Sequence, residues 1–317
     1  MRVKPIITGL ATRLPRLAEI QSSGKGGGTR SAPYCYGVWM KHLTLLCSGS
    51  GASIPKVVLE LGPGYTLGTG MCALLSGADH YYALDAVPYA HLDTDLRLFD
   101  DLVSMFRVKA PHQPNGWPNI DPLLDTNRFP SHILTDDLLA NSLAEERLEQ
   151  IRAGFRYPNT DQGRIRVNYI APWKDALAIT ANTVDHVFSH TVLQHVAHLE
   201  KTYASMARWL RVDGTMTHQL DFSCMHLSRK WNGHWACPEW LWGIIAGNRP
   251  YFINREPLST HISLMRRYAL YITCIIRMER NDGIRRDQLA KRWKTISNIN
   301  LQCSGAFVQA KKASGSV

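Results

Sequence analysis

One stretch of the chain combines an acid with several closely spaced glycines. It is ELGPGYTLGTG, residues 60–70, and it lies between a short apolar run and a run with helical spacing. Gly62 and Gly64 permit a tight turn and let a ligand approach the backbone N–H groups at a helix N-terminus. Gly68 follows Gly64 by four residues, whereas the dinucleotide fingerprint G-x-G-x-x-G requires a shorter spacing. The segment therefore predicts a cofactor-binding loop that departs from the nicotinamide pattern.

Two carboxylates stand where a particular kind of cofactor would need them. Glu60 precedes Gly62 by two residues, and a nicotinamide cofactor does not need an acid there. A cofactor with an α-ammonium group could use this carboxylate, directly or through water. Asp85 ends the next apolar run, twenty-one residues after Gly64, where a carboxylate accepts hydrogen bonds from ribose hydroxyls. A charged residue at the end of an apolar strand needs a partner, so we expect both acids to be functional.

The elements that must position these residues follow an alternating pattern. Short apolar runs rich in β-branched residues predict buried strands, and the runs between them, such as 67–77 and 198–210, predict helices. The alternation predicts an α/β fold with a doubly wound, mostly parallel sheet that ends in an antiparallel pair. The predicted strands are KVVLEL (56–61), HYYALDAV (80–87), RIRVNYIAP (164–172), VDHVFSH (184–190), TMTHQLDF (215–222), YALYITCIIRM (268–278) and GAFVQAKK (305–312).

The glycine segment together with Asp85 resembles motif I and the ribose-binding acid of class I S-adenosylmethionine (SAM)-dependent methyltransferases. VDHVFSHTVLQHV (184–196) is similar to that family's fourth strand and the turn after it, and MARWLRVDG (206–214) to the helix and turn before the fifth strand. The resemblance covers about residues 56–223. It implies a Rossmann-like sheet of seven strands, SAM as the cofactor, and an enzyme that transfers a methyl group to an oxygen or nitrogen atom.

Three further segments resemble a narrower group. GGTRSAPYCYGVWMKHL, HQLDF and NREPLSTH are similar to bacterial methyltransferases associated with surface polysaccharide or glycan pathways. This likeness implies a small-molecule or sugar-like acceptor. The chain departs from the commoner pattern in having Pro63 between the glycines and a long insertion between the second and third strands, which leaves the acceptor open.

The resemblance also assigns a cofactor site, position by position. Packing is an alternative for some members, because Gly68 could serve close helix–strand contact and the apolar members could belong to the core. The implied site comprises Glu60, Gly62, Gly64 and Gly68 in the loop, Asp85 at the ribose, Ala86 and Val87 beside the adenosine, Ile170 and Ala171 at the adenine, and His190 near the methionine part.

Candidate catalytic groups follow the predicted fifth strand, in THQLDFSCMHLSRKWNGHW (217–235). A neutral imidazole at His218 or His226 can take a proton near neutral pH, and Asp221 could orient it. In an unbroken strand His218 and Asp221 face opposite sides, so the pair requires a strand that ends near Leu220, or an Asp221 that serves His226. Equally, the segment could be a loop whose tryptophans close the edge of the core.

Composition and spacing exclude several other classes. The net charge of +10 comes with no aromatic-interleaved basic motif, so we expect no nucleic-acid partner. The seven cysteines are dispersed without a CxxC pair, which favours a reducing cytoplasm over a disulfide framework. The histidine spacings do not match a zinc motif, so we expect no metal. No apolar run reaches the roughly 18–20 residues that span a bilayer, and no signal peptide is evident.

The expected organisation is a helical extension over residues 1–54 followed by a methyltransferase domain over 55–317. Within that domain the acidic, proline-containing segment 95–163 is too long for a simple crossover and predicts a cap-like insertion that shapes the acceptor pocket. Two other functions remain open. One is a nicotinamide-dependent Rossmann oxidoreductase, and the other is a non-catalytic, methyltransferase-like binding subunit.

Overall fold

The computed structural model describes residues 2–13, 28–50, 53–90, 95–112, 128–160, 163–249 and 252–313. The strands in these ranges are β1 (Val57–Leu61), β2 (His80–Leu84), β3 (Arg166–Ile170), β4 (Val184–His190), β5 (Leu210–Asp221), β6 (Leu270–Glu279) and β7 (Cys303–Lys312). The α-helices are α1 (Val3–Ala11), α2 (Ala32–Ser50), α3 (Gly68–Leu75), α4 (Asp95–Arg107), α5 (Asp136–Ser142), α6 (Glu145–Arg156), α7 (Leu199–Trp209), α8 (Glu239–Ala246), α9 (Leu258–Arg267) and α10 (Asn298–Gln302). None of these described helices is long and apolar enough to cross a membrane.

The strands form one seven-stranded sheet in the order β3-β2-β1-β4-β5-β7-β6. The first five strands pair in parallel, and β7 pairs antiparallel with both β5 and β6. The predicted Rossmann-like α/β fold is therefore confirmed, including the antiparallel pair, with β7 inserted between β5 and β6. The order reverses between β1 and β4, and ligands of such sheets bind beside the carboxyl ends of the strands at this switch point.

The two faces of the sheet bury two separate cores. On β1, Val58 points into a core shared with α2, α3 and α4, whereas Leu59 and Leu61 point into a core shared with α7 and α9. Side chains alternate between the faces because the strand has a period of two residues. Glu60 therefore shares the face of Val58, under α2, and the neighbouring strands follow the same alternation.

Helix α2, which belongs to the predicted N-terminal extension, forms part of the main core. It contacts α3 and α4, and Cys35, Tyr36 and Trp39 are completely buried. The indole Nε1 of Trp39 donates a hydrogen bond of 2.8 Å to the hydroxyl of Ser76. This helix therefore covers one face of the sheet and shares the core of the main domain. The domain boundary at residue 54 stays a proposal.

The described helices of segment 95–163 lie along the flank of the sheet. Helix α4 contacts α3, and α6 contacts β3. Arg147 of α6 donates to Asp79 at 3.0 Å and to the carbonyl of Ala78 at 2.6 Å, just before β2 begins. These contacts place α6 at the amino end of β2, on the edge opposite the glycine loop. The predicted cap over 95–163 stays a proposal, and its residues 113–127 and 161–162 lie outside the described residues.

Tight contact between α3 and β2 gives a prediction about stability. A Cβ atom at Gly70 would lie 2.0 Å from the ring of Tyr81, and this ring is held because its hydroxyl donates to Glu60. We expect Gly70→Ala to lower the free energy of unfolding, measured by urea denaturation, by about 1–3 kcal/mol.

The matched control is Gly243→Ala in helix α8, where a Cβ would meet nothing within 4 Å. Alanine favours a helix over glycine by about 1 kcal/mol, so this variant should keep or gain stability. Equal losses in both variants would contradict the packing described for α3.

Candidate active site

The glycine loop turns sharply at the end of β1. Gly62 and Gly64 have φ values of +69° and +81°, in the region that side chains disfavour. A Cβ at Gly62 would lie 2.6 Å from Val192, and the N–H of Gly62 donates to the carbonyl of Leu84 at 2.8 Å. The loop is thus held between the ends of β1 and β2 and the turn that follows β4, where only glycine fits.

Glu60 carries a buried carboxyl group beneath this loop. Its residue is 3% exposed, and the hydroxyl of Tyr81 donates to its Oε2. Burial raises the pKa of Glu60 to about 8; the hydrogen bond from Tyr81 opposes this shift, the charge of Asp85 adds to it, and a hydrogen bond from Thr69 opposes it. Glu60 is therefore mainly protonated at neutral pH unless a cation comes close.

Asp85 connects the end of β2 with the glycine loop. Its Oδ1 accepts a hydrogen bond of 2.7 Å from the N–H of Ala86. Burial raises the pKa of Asp85, and hydrogen bonds from the backbone of Ala86, Val87 and Gly64 oppose the shift. The carboxyl group therefore lies within reach of both the loop and the segment after β2, as a ribose-binding acid would.

The other predicted cofactor residues fall into two groups. Asp85 N donates to the carbonyl of Ile170 at 3.1 Å, so the ends of β2 and β3 bring Ala86 together with Ile170 and Ala171. Ala86 is exposed, and Val87, Ile170 and Ala171 are half-buried, as they would be in the wall of an open site.

Gly68 lies elsewhere, in the first turn of α3. A Cβ there would lie 2.7 Å from both Cys35 and Leu98, two side chains from the helices packed against α3. Close packing is therefore sufficient to explain the glycine at this position, which is the alternative left open by the sequence.

A segment that was not predicted to belong to the cofactor site crosses the glycine loop. The Oγ1 of Thr29 accepts a 3.0 Å hydrogen bond from the N–H of Tyr65, and its carbonyl accepts from the hydroxyl of Thr66. The guanidinium of Arg30 lies 3.9 Å from the centre of the Tyr65 ring. The available signal was the Thr-Arg pair between a glycine run and an apolar helix, but sequence alone does not show that this segment returns to the loop.

His190 ends β4 next to the glycine loop, because β4 pairs with β1 up to Leu61. Its Nδ1 lies 3.3 Å from Nε2 of His42 on helix α2, and the ring of Tyr34 contacts it edge-on at 6.2 Å. Burial lowers the pKa of His190 to about 3, and the charge of Lys41 lowers it further. The imidazole is therefore neutral at the position where the methionine part of the cofactor was expected.

The predicted catalytic role of His218 conflicts with its position. His218 is 0% exposed, and its Nδ1 lies 2.8 Å from the hydroxyl of Ser189. Burial lowers its pKa to about 3, with further lowering by His261 and His186. The side chain points into the core shared with α7 and α9, so it has no route to an acceptor in this structure.

Asp221 and His226 are not brought together with His218 either. Strand β5 continues through Asp221, so His218 and Asp221 face opposite sides and the condition for pairing them is not met. Asp221 is buried and accepts a 2.7 Å hydrogen bond from the N–H of Ser223. His226 is exposed at a positive-φ turn, and the structure gives it no contact with the cofactor loop.

A small polar cleft lies beyond the carboxyl ends of β4 and β5. Three of its residues are buried and keep a side-chain atom without a hydrogen-bond partner among the described residues, namely Gln194 Oε1, His234 Nδ1 and Arg255 Nε. Arg255 forms an ion pair with Glu239, with 2.6 Å between Nη2 and Oε1. The complete lining is Gln194, Asp221, Phe222, Ser223, His234, Ile253, Asn254, Arg255 and Glu256.

The tryptophans of the same region belong to the core. Trp231 and Trp235 are buried, and Trp235 donates to the carbonyl of Arg255 at 2.8 Å. These residues close the edge of the core, while the neighbouring polar side chains form the cleft. Among the described residues, no group of three or more His, Cys, Asp or Glu could hold a metal ion.

One protein family and several solved structures are similar to this chain. The family described as "Methyltransferase domain" matches residues 132–217, which include β3, β4 and α7. No curated protein matches the sequence. A solved SAM-dependent methyltransferase from Mesorhizobium loti is 11% identical, covers 84% of this chain and 95% of its own, and has a TM-score of 0.40.

Two other solved structures have comparable similarity. A SAM-dependent methyltransferase from Methanosarcina mazei is 10% identical over 83% of this chain and 94% of its own, with a TM-score of 0.43. A Haemonchus contortus phosphoethanolamine N-methyltransferase bound to S-adenosylhomocysteine is 14% identical over 87% of this chain and 53% of its own, with a TM-score of 0.42. Residues 132–217 are therefore similar to a methyltransferase domain, and they lie in a sheet with the strand order β3-β2-β1-β4-β5-β7-β6.

Proposed function

We propose that this protein transfers a methyl group from SAM to an oxygen or nitrogen atom of a small-molecule or sugar-like acceptor. The observation that carries the proposal is the pair of acids at the switch point of the sheet. Glu60 lies beneath the glycine loop, and Asp85 reaches the same loop from the end of β2. An acid for a cationic cofactor and an acid for its ribose thus flank one loop.

The cofactor would occupy the carboxyl edge of β1, β2 and β4. Asp85 would accept hydrogen bonds from the ribose hydroxyls, and Ala86, Val87, Ile170 and Ala171 would form the wall around the adenine. The half-buried or exposed state of these four residues leaves room for a ligand. The sulfonium end would then lie toward His190, which is the residue of β4 nearest the glycine loop.

The acceptor would bind over the polar cleft beyond β4 and β5 and place one hydroxyl group in it, because the cleft has a volume of about 10 Å³. Gln194 Oε1 can only accept a hydrogen bond, whereas Arg255 Nε can only donate one, and both lack described partners. A hydroxyl group both donates and accepts, so a hydroxylated acceptor satisfies both. Because Glu239 already neutralises the charge of Arg255, the cleft is better suited to a neutral acceptor than to an anionic one.

Two further observations support the proposal. Segments of the chain resemble methyltransferases of glycan pathways, which favours a sugar-like acceptor. The seven cysteines are all free thiols, which favours a reducing cytoplasm as the site of the reaction. Catalysis would consist largely of aligning the sulfonium, the methyl carbon and the acceptor atom while excluding water.

The direct test is incubation of the full chain with SAM and a panel of glycans, sugars and small-molecule amines and alcohols, followed by mass spectrometry. We expect S-adenosylhomocysteine together with one singly methylated product. SAM binding without any methylated product would indicate a non-catalytic binding subunit. Tight binding of NADH in place of SAM would indicate the nicotinamide-dependent oxidoreductase.

The cofactor site gives a prediction that needs no acceptor. Asp85→Ala should weaken SAM binding by about 1–3 kcal/mol, because the ribose hydroxyls lose a buried acceptor. Titration calorimetry provides the measurement, and Asp137→Ala, at an exposed position on α5, is the matched control. Equal SAM affinities for wild type and Asp85→Ala would show that the ribose site is misplaced.

The polar cleft gives a separate prediction about the acceptor. Gln194→Met keeps the length of the side chain and removes its amide, so the KM for the acceptor should rise about tenfold, the value of roughly one hydrogen bond. SAM affinity should not change. Gln302→Met, at an exposed position on α10, should leave both quantities unchanged. An unaltered KM in Gln194→Met would exclude this cleft as the acceptor site.

A further inference from the structure

We propose that a chain of hydrogen-bonded imidazole and hydroxyl groups carries the acceptor's proton out of the methyl-transfer site, from His190 to Thr215. We call this chain the relay; in order, it contains His190, His42, Thr217, His186 and Thr215. It rests on the proposed function, since a hydroxyl or amine acceptor must lose a proton when it gains a methyl group. His42, His186, Thr215 and Thr217 are not among the functional residues predicted from the sequence.

The relay is continuous in the structure. His190 Nδ1 lies 3.3 Å from His42 Nε2, and His42 Nδ1 lies 2.8 Å from Thr217 Oγ1. Thr217 Oγ1 lies 3.0 Å from His186 Nε2, and His186 Nδ1 lies 2.9 Å from Thr215 Oγ1. Three of the four separations are typical hydrogen-bond lengths, and the one between His190 and His42 is slightly longer.

With neutral imidazole rings, all hydrogen bonds of the relay can point in one direction, from His190 to Thr215. A neutral imidazole has one donor and one acceptor nitrogen, and a hydroxyl both donates and accepts. If His190, His42 and His186 each carry their proton on Nδ1, every donor in the relay faces an acceptor. This assignment leaves a lone pair on Nε2 of His190, which has no hydrogen-bond partner among the residues that the structure describes.

The relay joins the two edges of the sheet. His190 stands at the carboxyl end of β4 and is partly exposed. Its Nδ1 faces the completely buried His42, which leaves Nε2 as the ring nitrogen free to take a proton from the acceptor. Thr215 pairs with His186 near the amino end of β4 and is half-buried. A proton that enters at His190, at the carboxyl edge of the sheet, can therefore leave at Thr215, toward the amino edge, while the active site stays closed to water.

The surroundings prevent the rings from storing a charge. Burial lowers the pKa of His186 to about 3, against a smaller opposing effect from Asp185. Burial lowers the pKa of His42 well below its ordinary value, and the neighbouring histidines and Lys41 lower it further. A ring with a low pKa passes a proton to the next group of the relay, whereas a strongly basic ring within the relay would keep it.

The proposed step conserves atoms and charge. The acceptor atom forms a bond to the methyl carbon as the bond from that carbon to the sulfonium breaks, and the sulfur becomes neutral. The acceptor's proton goes to Nε2 of His190, and His190 passes its Nδ1 proton to His42. His42 then protonates Thr217, Thr217 protonates His186, and His186 protonates Thr215, whose own hydroxyl proton goes to water. The positive charge of the sulfonium thus appears as one proton in solvent.

The relay also has a way to return to its starting state. One passage moves the proton of every ring from Nδ1 to Nε2. When product leaves and water enters the site, His190 can give its Nε2 proton to that water while Thr215 takes a proton from solvent. His190 would be the catalytic residue, because in the proposed step it takes the acceptor's proton, and His42, Thr217, His186 and Thr215 would act through it.

The first test is nuclear magnetic resonance of the full chain with ¹⁵N-labelled histidine, which distinguishes the two tautomers and needs no acceptor. We expect the Nδ1-protonated form for His42, His186 and His190. An Nε2-protonated form of His42 or His186 in the free protein would break the assigned direction and overturn the relay.

The second test uses Thr217→Val, which keeps the shape of the side chain and removes the hydroxyl between His42 and His186. With the acceptor found in the screen above, we expect kcat to fall about 10²-fold, while the Kd for SAM stays unchanged. Thr217→Ser restores the hydroxyl and should restore the rate, which separates loss of the relay from loss of the fold.

The matched control is Ser189→Ala, which removes a buried hydroxyl from the opposite face of β4, where it contacts His218. Its kcat should stay at the wild-type value. Full turnover by Thr217→Val would overturn the relay and leave methyl transfer intact. Absence of methyl transfer in the wild-type protein would instead contradict the proposed function, and the relay with it.

Discussion

The architecture of the site depends on one constraint, the burial of a carboxyl group at the end of the central strand. Glu60 is enclosed between β1 and α2 and is held by Tyr81, whose ring in turn requires glycine at position 70. A carboxyl group in this setting is unfavourable as an anion without a nearby cation. Its pKa of about 8 is therefore consistent with the proposal that a positive charge binds here, at the point where the sheet reverses its strand order.

The α2 side of the sheet combines packing with chemistry. Helix α2 fills the core with Tyr36 and Trp39, and it also carries His42 to within 3.3 Å of His190 at the end of β4. The opposite face is different, because His218 there is completely buried and contacts the buried hydroxyl of Ser189. Adjacent residues of a strand face opposite sides of the sheet. His218 therefore points into one core, whereas its neighbour Thr217 points to the other face and belongs to the proposed relay.

Much of the fold and part of the site could be predicted from the sequence. Apolar runs and a glycine-bounded helix are local signals, and they placed the seven strands, the loop and Asp85. The contacts of Thr29 with the loop and of His42 with His190 join residues that lie far apart in the chain, and no local pattern records them. The choice of His218 as a base relied on its nearness to a strand end, whereas the face toward which it points decides its role. The position of α6 at the amino edge likewise depends on the contact of Arg147 with Asp79.

The most direct test of the prepared charge site is the number of protons released when SAM binds, measured by calorimetry near pH 7 in buffers of different ionisation enthalpy. In the free protein Glu60, with a pKa of about 8, is mostly protonated at this pH. The α-ammonium group of SAM should lower that pKa, so binding should release close to one proton per site. Glu60→Gln has no titrating carboxyl and should release none. Wild-type binding without proton release, or equal release by both proteins, would contradict the assignment of Glu60 as the partner of the cofactor's charge.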